Sequence, residues 1–154
     1  MQNIINGSET DAGAGTPYAV LVNFYKAFNQ RDISRMADNW WPSALTSMSN
    51  PLGDVKHGWP QIEAVYHKLF NGPTQVYVEF HDFCIDQTSD MFCAVGRERG
   101  WFKQNDVQLA LAIRTTRIYQ RVGSAWRQLH HHGSIDNPAL LRAYQAAVLN
   151  LSDE

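Results

Sequence analysis

The sequence is poor in cysteine and close to balanced in charge. Its 154 residues include two cysteines, 13 Lys and Arg and 15 Asp and Glu, which give a formal net charge of −2. Two cysteines are too few for the disulfide framework of a small secreted domain. The absence of a basic excess excludes a typical nucleic-acid-binding face. No apolar run approaches the roughly 20 residues that cross a bilayer, so we expect no membrane association.

The N-terminus also lacks the features of a secretory signal. Residues 1–15, MQNIINGSETDAGAG, have no basic start and no apolar core, and their composition predicts a flexible arm. We expect a cytoplasmic protein with one domain at residues 16–136, followed by a C-terminal helix and tail at residues 137–154. Cys84 and Cys93 are expected to be free thiols in the core, opposite one another in a hairpin.

Capping residues and helical periodicity mark the first half of the chain. Thr16 with Pro17 begins a helix, and Asp32 begins a second helix that Pro42 ends. Helices are predicted at residues 17–31, 33–41 and 60–70, with a short strand at residues 44–49.

From Thr74 the apolar pattern changes to a period of two. This pattern predicts long strands at residues 75–87, 90–103, 107–121 and 125–135, and Asn137 begins a last helix. Helices combined with an antiparallel meander predict an α+β domain, with the helices packed on one face of a curved sheet.

The pairing of the first two long strands predicts which residues share the inner face. A symmetric hairpin around residues 88–89 sets Glu79 opposite Glu98, and opposed like charges predict that this face meets solvent. The other face, with Val78, is then the inner one and carries Arg97.

The last two strands add polar residues to the inner face. The residues predicted to point inward there include Arg117, Gln128, His130 and His132, whereas His131 points away. Polar groups among Leu, Phe and Trp on the concave side of a sheet are typical of a small-molecule pocket. A single β-bulge would exchange the two faces along part of a strand.

Three segments resemble the NTF2-like superfamily, particularly its SnoaL-like and ketosteroid-isomerase-like branches. They are FYKAFNQRDISRM, SMSNPLG with the following HG, and TTRIYQRVGSAWRQLHHHGS, within residues 17–135. The resemblance implies a cone-shaped fold with a deep pocket, dimeric through its sheet. The last segment also resembles the association domain of calmodulin-dependent kinases, which implies that Arg97, Arg117, His130 and His132 line the pocket.

The residues that carry ketosteroid isomerisation are not retained in this resemblance. The family's general-base Asp precedes a proline, and the matching pair here is Asn50 and Pro51. An amide does not accept a proton as a carboxylate does. The resemblance places Phe24, next to Tyr25, at the oxyanion-hole Tyr and Thr115 near the oxyanion-hole Asp. We therefore do not expect the usual isomerase reaction.

The sequence leaves a binding protein and an enzyme open. The first is a binder of a hydrophobic or anionic small molecule, without strong catalysis. Its candidate ligand-binding residues are Arg97, Arg117, Gln128, Trp40, Asn50 and Tyr66. The second is a cofactor-free isomerase, dehydratase or cyclase, in which His130 or His132 is the acid or base and an arginine stabilises an oxyanion. A purely structural dimerisation module is a third alternative.

The same residues also have structural interpretations. His130 and His132 are explained equally well as hydrogen-bonded strand residues. We expect no metal site, because no Cys or carboxylate spacing supports one, and no cofactor. A buried arginine requires a partner, either an anionic ligand or an internal carboxylate. The internal candidates are Asp82, Asp86 and Glu63.

Overall fold

The computed structural model describes residues 4–10 and 12–150, and this part of the chain forms four helices and one curved sheet. The helices are α1 (Pro17–Asn29), α2 (Ile33–Asn39), α3 (Trp59–Asn71) and α4 (Pro138–Leu149). The strands are β1 (Ile4–Ile5), β2 (Ser47–Ser49), β3 (Lys56–His57), β4 (Gln75–Gln87), β5 (Met91–Gln104), β6 (Val107–Val122) and β7 (Ala125–Ser134). The predicted α+β class is confirmed. Within these residues, no helix has the length and apolar character needed to cross a membrane.

The helices begin at the predicted capping residues. The side chains of Thr16, Asp32 and Asn137 each accept a hydrogen bond from a backbone N–H in the first turn of their helix. Helix α2 ends before Trp40, earlier than predicted. Trp40 is extended and forms a parallel bridge with Gln128 of β7, so it belongs to the sheet edge rather than to the helix.

The sheet has the strand order β1-β4-β5-β6-β7-β2-β3. Strands β4 to β7 form the predicted antiparallel meander, and β2 runs parallel to β7. At the other edge, Ile4 and Ile5 pair with β4, and Ile5 is fully buried. The flexible arm predicted for residues 1–15 is therefore wrong at these two residues, because an apolar side chain there joins the core. Residues 1–3 and 11 of that arm lie outside the described residues.

A β-bulge in β4 exchanges the two faces of β5 relative to the prediction. The bulge lies at Asp82, whose φ is 52°. Phe80 therefore lies opposite Glu98 instead of Arg97. Glu98 is buried on the inner face, whereas Arg97 is exposed on the outer face. The predicted inner position of Arg97 is wrong because one extra residue changes the parity of the pairing.

A second bulge, at Leu129 of β7, exchanges the faces of the histidines. Gln128, before the bulge, is fully buried inside as predicted. Beyond the bulge His131 points inward and is buried, whereas His130 and His132 lie on the outer face. The predicted inner positions of His130 and His132 are wrong because Leu129 has no partner on β6.

The two cysteines are free, as expected, but they do not face one another. Cys84 lies opposite Val95, and Cys93 lies opposite Asp86. The hairpin turn is wider than the symmetric turn that was predicted, which separates the two cysteines. Cys84 is exposed rather than part of the core, because the bulge at Asp82 reverses the alternation of β4 before Cys84.

Candidate functional site

The concave side of the sheet holds a buried ion pair. Arg117 of β6 and Glu98 of β5 lie with Nη2 and Oε2 3.4 Å apart, and their side chains are only 2% and 5% exposed. Glu98 also accepts a hydrogen bond from Thr115 Oγ1 at 2.8 Å. The prediction that Arg117 points inward is confirmed, but its internal partner is Glu98 and not one of the three carboxylates that the sequence suggested.

Three further contacts fix the guanidinium of Arg117. Its Nη1 donates to Gln128 Oε1 at 2.9 Å, and its Nε donates to Tyr25 Oη at 3.3 Å. Its Cζ lies 3.6 Å from the centre of the Phe24 ring, within the range of a cation–π contact. The cation is thus compensated by a carboxylate, two neutral acceptors and a ring face, as a buried charge requires.

Gln128 links the ion pair to a wider hydrogen-bond network, and Trp40 bonds to the neighbouring Tyr66. Gln128 Nε2 donates to Asn39 Oδ1 at 3.1 Å, and Tyr119 Oη donates to the same oxygen at 2.8 Å. Trp40 Nε1 donates to Tyr66 Oη at 3.2 Å. Gln128 and Trp40, both predicted to bind ligand, are fully buried and are not among the residues that line the cavity between the sheet and the helices.

His131 is a neutral imidazole beside this pair. Its Nδ1 lies 3.3 Å from the backbone carbonyl of Thr116, and a carbonyl only accepts, so Nδ1 carries the proton. Burial, followed by the charge of Arg117, holds the pKa of His131 well below its usual range. The other nitrogen, Nε2, is thus an acceptor. A Cβ on Gly133 would lie 3.1 Å from Nε2, so the glycine leaves space for this ring.

A small cavity joins these polar groups to apolar side chains of the cone. Its volume is about 30 Å³, which is room for a water molecule and too little for an organic ligand. The polar residues that line it are Glu98, Arg117, His131, Asn50, Tyr66 and Tyr144. Arg117, Asn50 and Tyr66 were predicted as site residues, whereas Glu98, His131 and Tyr144 were not.

The other predicted residues lie together on the outer face of the sheet. Ser47 Oγ lies 2.7 Å from His130 Nδ1, and the rings of His130 and His132 are 6.4 Å apart. Burial, followed by the charge of His132, lowers the pKa of His130. His132 and Arg97 line an open groove of about 450 Å³. Within residues 4–10 and 12–150, no three His, Cys, Asp or Glu side chains come together as metal ligands.

The sequence profile of the SnoaL-like domain matches residues 18–138. The chain belongs to the SnoaL-like domain family. The SnoaL-like cone predicted from the resemblance is therefore confirmed, with its concave face towards the helices. No curated protein sequence matches the chain.

Several solved structures share this fold. A candidate calcium/calmodulin-dependent protein kinase type II association domain from Thiobacillus denitrificans is 24% identical, with a TM-score of 0.65 over 79% of this chain and 96% of that chain. A candidate dehydratase of the NTF2-like family from Streptomyces avermitilis is 18% identical, with a TM-score of 0.66 over 75% and 91%. A ketosteroid isomerase-like protein from Erwinia carotovora atroseptica is 15% identical, with a TM-score of 0.64 over 78% and 93%. At these identities the similarity shows the fold alone.

Proposed function

We propose that the SnoaL-like cone binds a small, neutral and mainly apolar molecule against the Glu98–Arg117 pair. The buried pair is the observation that carries this proposal. A buried ion pair adds little stability compared with apolar side chains of the same volume. Its place at the wall of a cavity that combines apolar and polar side chains therefore supports a role in recognising a polar atom of a ligand.

The charges around the cavity favour a neutral ligand. Glu98 compensates Arg117, and His131 carries no charge at neutral pH. An anion entering the cone would meet no uncompensated positive charge and would approach the carboxylate of Glu98. The anionic ligand predicted from the sequence depended on Arg97 and Arg117 both pointing inward, and Arg97 is exposed on the outer face.

The remaining polar atoms suit a carbonyl or hydroxyl group. Tyr66 Oη accepts from Trp40 Nε1, which leaves its O–H proton to donate. His131 Nε2 accepts, because Nδ1 carries the proton. A hydroxyl group would satisfy both residues, and a carbonyl would take the Tyr66 proton.

We expect a ligand to enter the cone by displacement of helix α4. Tyr144 of α4 lines the cavity and packs edge-on against Phe102. Gln145 Nε2 donates to the carbonyl of Pro51 at 2.9 Å, and Thr74 Oγ1 donates to the carbonyl of Ala147 at 2.7 Å. These two hydrogen bonds hold α4 over the cavity, so we expect α4 to be the element that opens.

A cofactor-free isomerase or dehydratase is the second candidate. The observation that favours it is His131, the neutral acceptor that shares the cavity with Glu98. His131 takes the role first given to His130 and His132, which lie outside. Its depressed pKa makes it a weak base, and Glu98 is already held by Thr115 and Arg117. Binding is therefore the function that the geometry supports better.

One titration separates these two functions. Cyclohexanone, a neutral ketone, is titrated into isotopically labelled protein in H2O buffer while the indole N–H resonance of Trp40 is followed. The exchange of the ketone α-protons is followed in a parallel sample in D2O buffer. Binding predicts a saturable shift of the Trp40 resonance without accelerated exchange. Catalysis predicts accelerated exchange that is lost in the His131→Gln variant. Cyclohexanecarboxylate is the charged control, and a carboxylate that shifts Trp40 as strongly as the ketone would contradict the neutral site.

The Tyr144→Ala variant tests the opening of the cone. Removing the ring enlarges the cavity and removes part of the cost of moving α4, so cyclohexanone should bind roughly 5- to 10-fold more tightly, a change of about 1 kcal/mol. Arg142→Ala, at an exposed position on the same helix, is the matched control and should leave the affinity unchanged.

A further inference from the structure

A second cavity lies outside the cone, between the turn after β2, helix α3 and the end of α4. Its volume is about 680 Å³, within the range of roughly 300–1,000 Å³ that is typical of small-molecule sites. Its apolar floor consists of Leu52, Val65 and Leu149, all partly buried. We call this cavity the α3–α4 groove.

Lysines form the polar part of the α3–α4 groove. Lys56 Nζ lies 3.6 Å from Asp54 Oδ2, and the side chains are 34% and 77% exposed, so this ion pair is weak. Lys68, in the last turn of α3, has no carboxylate within 4.0 Å among the described residues. Among the described residues that line the groove, two lysines against one aspartate leave a net positive charge.

This groove differs from the cone in both charge and access. The cone holds a compensated ion pair and a cavity of about 30 Å³, whereas the groove is open and places Lys68, which pairs with no carboxylate of residues 4–10 and 12–150, beside an apolar floor. An ammonium group pairs with a carboxylate at an exposed site, and the floor removes a hydrocarbon chain from water.

We infer that the α3–α4 groove is a second binding site, for an amphipathic molecule with a carboxylate head and an unbranched apolar chain. Lys68 and Lys56 contact the carboxylate, and the chain lies on Leu52, Val65 and Leu149. Ala64, an exposed residue of α3, borders the path of the chain. The groove lacks the Glu98–Arg117 pair of the cone and shares only Asn50 with the residues that line the cone cavity.

Calorimetric titration with octanoate, and with octan-1-ol as the uncharged probe of equal length, tests this inference. Octanoate should bind saturably, and octan-1-ol should bind roughly 5-fold more weakly, as expected for the loss of one exposed charge contact. Lys68→Gln should weaken octanoate binding by a similar factor, and Ala64→Trp should abolish binding by filling the groove. Lys103→Gln, at an exposed lysine of β5, is the control and should leave binding unchanged.

Three results would overturn the inference. The first is an absence of saturable octanoate binding, and the second is equal binding of octanoate by the Lys68→Gln variant and the unmodified protein. The third is a shift of the Trp40 indole resonance, instead of the Val65 methyl resonances, because the octanoate would then have entered the cone. The cyclohexanone titration tests the cone separately. A negative result with octanoate would therefore reject the α3–α4 groove alone, and a negative result with cyclohexanone would reject the cone alone.

Discussion

At the scale of single residues, the burial of the Glu98–Arg117 pair predicts how its removal affects stability. Removing one partner leaves a buried charge without compensation, which costs about 3–5 kcal/mol. We therefore predict that Glu98→Gln and Arg117→Met each lower the free energy of unfolding by about that amount in urea titrations. The double variant Glu98→Leu/Arg117→Met should lose clearly less than the sum of two single losses, because no charge remains buried.

The sheet also provides an exposed pair for comparison. Arg99 Nη2 and Asp82 Oδ2 lie 3.1 Å apart, and their side chains are 54% and 64% exposed. Replacing Arg99 by Gln should cost under about 1 kcal/mol. If the Arg99 variant and the variants of Glu98 and Arg117 lost equal free energies of unfolding, solvent would have to screen Glu98 and Arg117. That result would contradict the burial of that pair.

His131 should make stability depend on pH. Its folded pKa lies below the ordinary value of 6.5, so below pH 6.5 the unfolded chain binds a proton that the folded chain does not. The free energy of unfolding therefore falls as the pH falls from about 6.5 towards the folded pKa, by up to about 1.4 kcal/mol per pH unit.

Urea titrations between pH 7.5 and 5.5 measure this dependence. His131→Gln should flatten the slope, because the group that takes up the proton on unfolding is gone. His130→Gln is the matched control: the pKa of His130 is also lowered, but this residue is only partly buried, so its effect should be smaller. An unchanged slope in His131→Gln would mean that this imidazole takes up its proton equally in both states.

At the scale of elements, helices and strands follow from local sequence, but strand register does not. Thr16 and Asp32 cap helices at the predicted positions because the capping hydrogen bond is local. The inner face of β6 was predicted correctly because its alternation is unbroken. The bulges at Asp82 and Leu129 each add one residue, and neither has a strong local signal. Every site prediction beyond a bulge was therefore inverted.

Glycines in β5 and β7 provide a partial signal that sequence reasoning did not use. Gly96 and Gly100 stand on either side of Glu98 on the inner face, and Gly133 follows His131 there. A glycine within a strand often marks a close approach by another group. Glu98 and His131, the residues that were missed, are thus the ones next to these glycines.

Substitution of two of these glycines tests the packing of the sheet. A Cβ on Gly100 would collide with the backbone carbonyl of Tyr77, which cannot move independently of β4, whereas a Cβ on Gly133 would meet side-chain atoms of His131 and Ile113 at 3.1 and 3.2 Å. We predict that Gly100→Ala lowers the free energy of unfolding by about 1–3 kcal/mol and that Gly133→Ala costs less. Thermal unfolding of both variants measures the order, and the reverse order would contradict this packing.

At the scale of the whole molecule, the fold was accessible from sequence, whereas the site was accessible only in part: Arg117, Asn50 and Tyr66 were predicted, and Glu98 and His131 were missed. The α+β class, the long strands and the SnoaL-like cone follow from periodicity and from the matched segments, because both signals extend over many residues. The site depends on which of two neighbouring residues points inward, as with Arg97 against Glu98. A composition that is close to electrically balanced also gave no indication that the ion pair is internal.

We propose that two chains associate through the outer face of the sheet. Val95 is 45% exposed there, opposite Cys84 on the neighbouring strand. Sedimentation equilibrium should give twice the chain mass of 17.5 kDa, and Val95→Glu should reduce it towards one chain, because a charge would be buried in the interface. Val55→Glu, at an equally exposed position in the loop before the edge strand β3, is the control. A monomeric unmodified protein would contradict the proposal.

The most direct test of the cone as a binding site is the crystal structure of the Tyr144→Ala variant soaked with 4-bromocyclohexanone. The anomalous signal of bromine locates the molecule without assumptions about its contacts. We predict a peak inside the cone, beside Leu69 and Ile113, with the carbonyl oxygen directed towards Tyr66. A bromine peak only on the outer face, or none at a concentration that saturates the Trp40 resonance, would contradict binding in the cone.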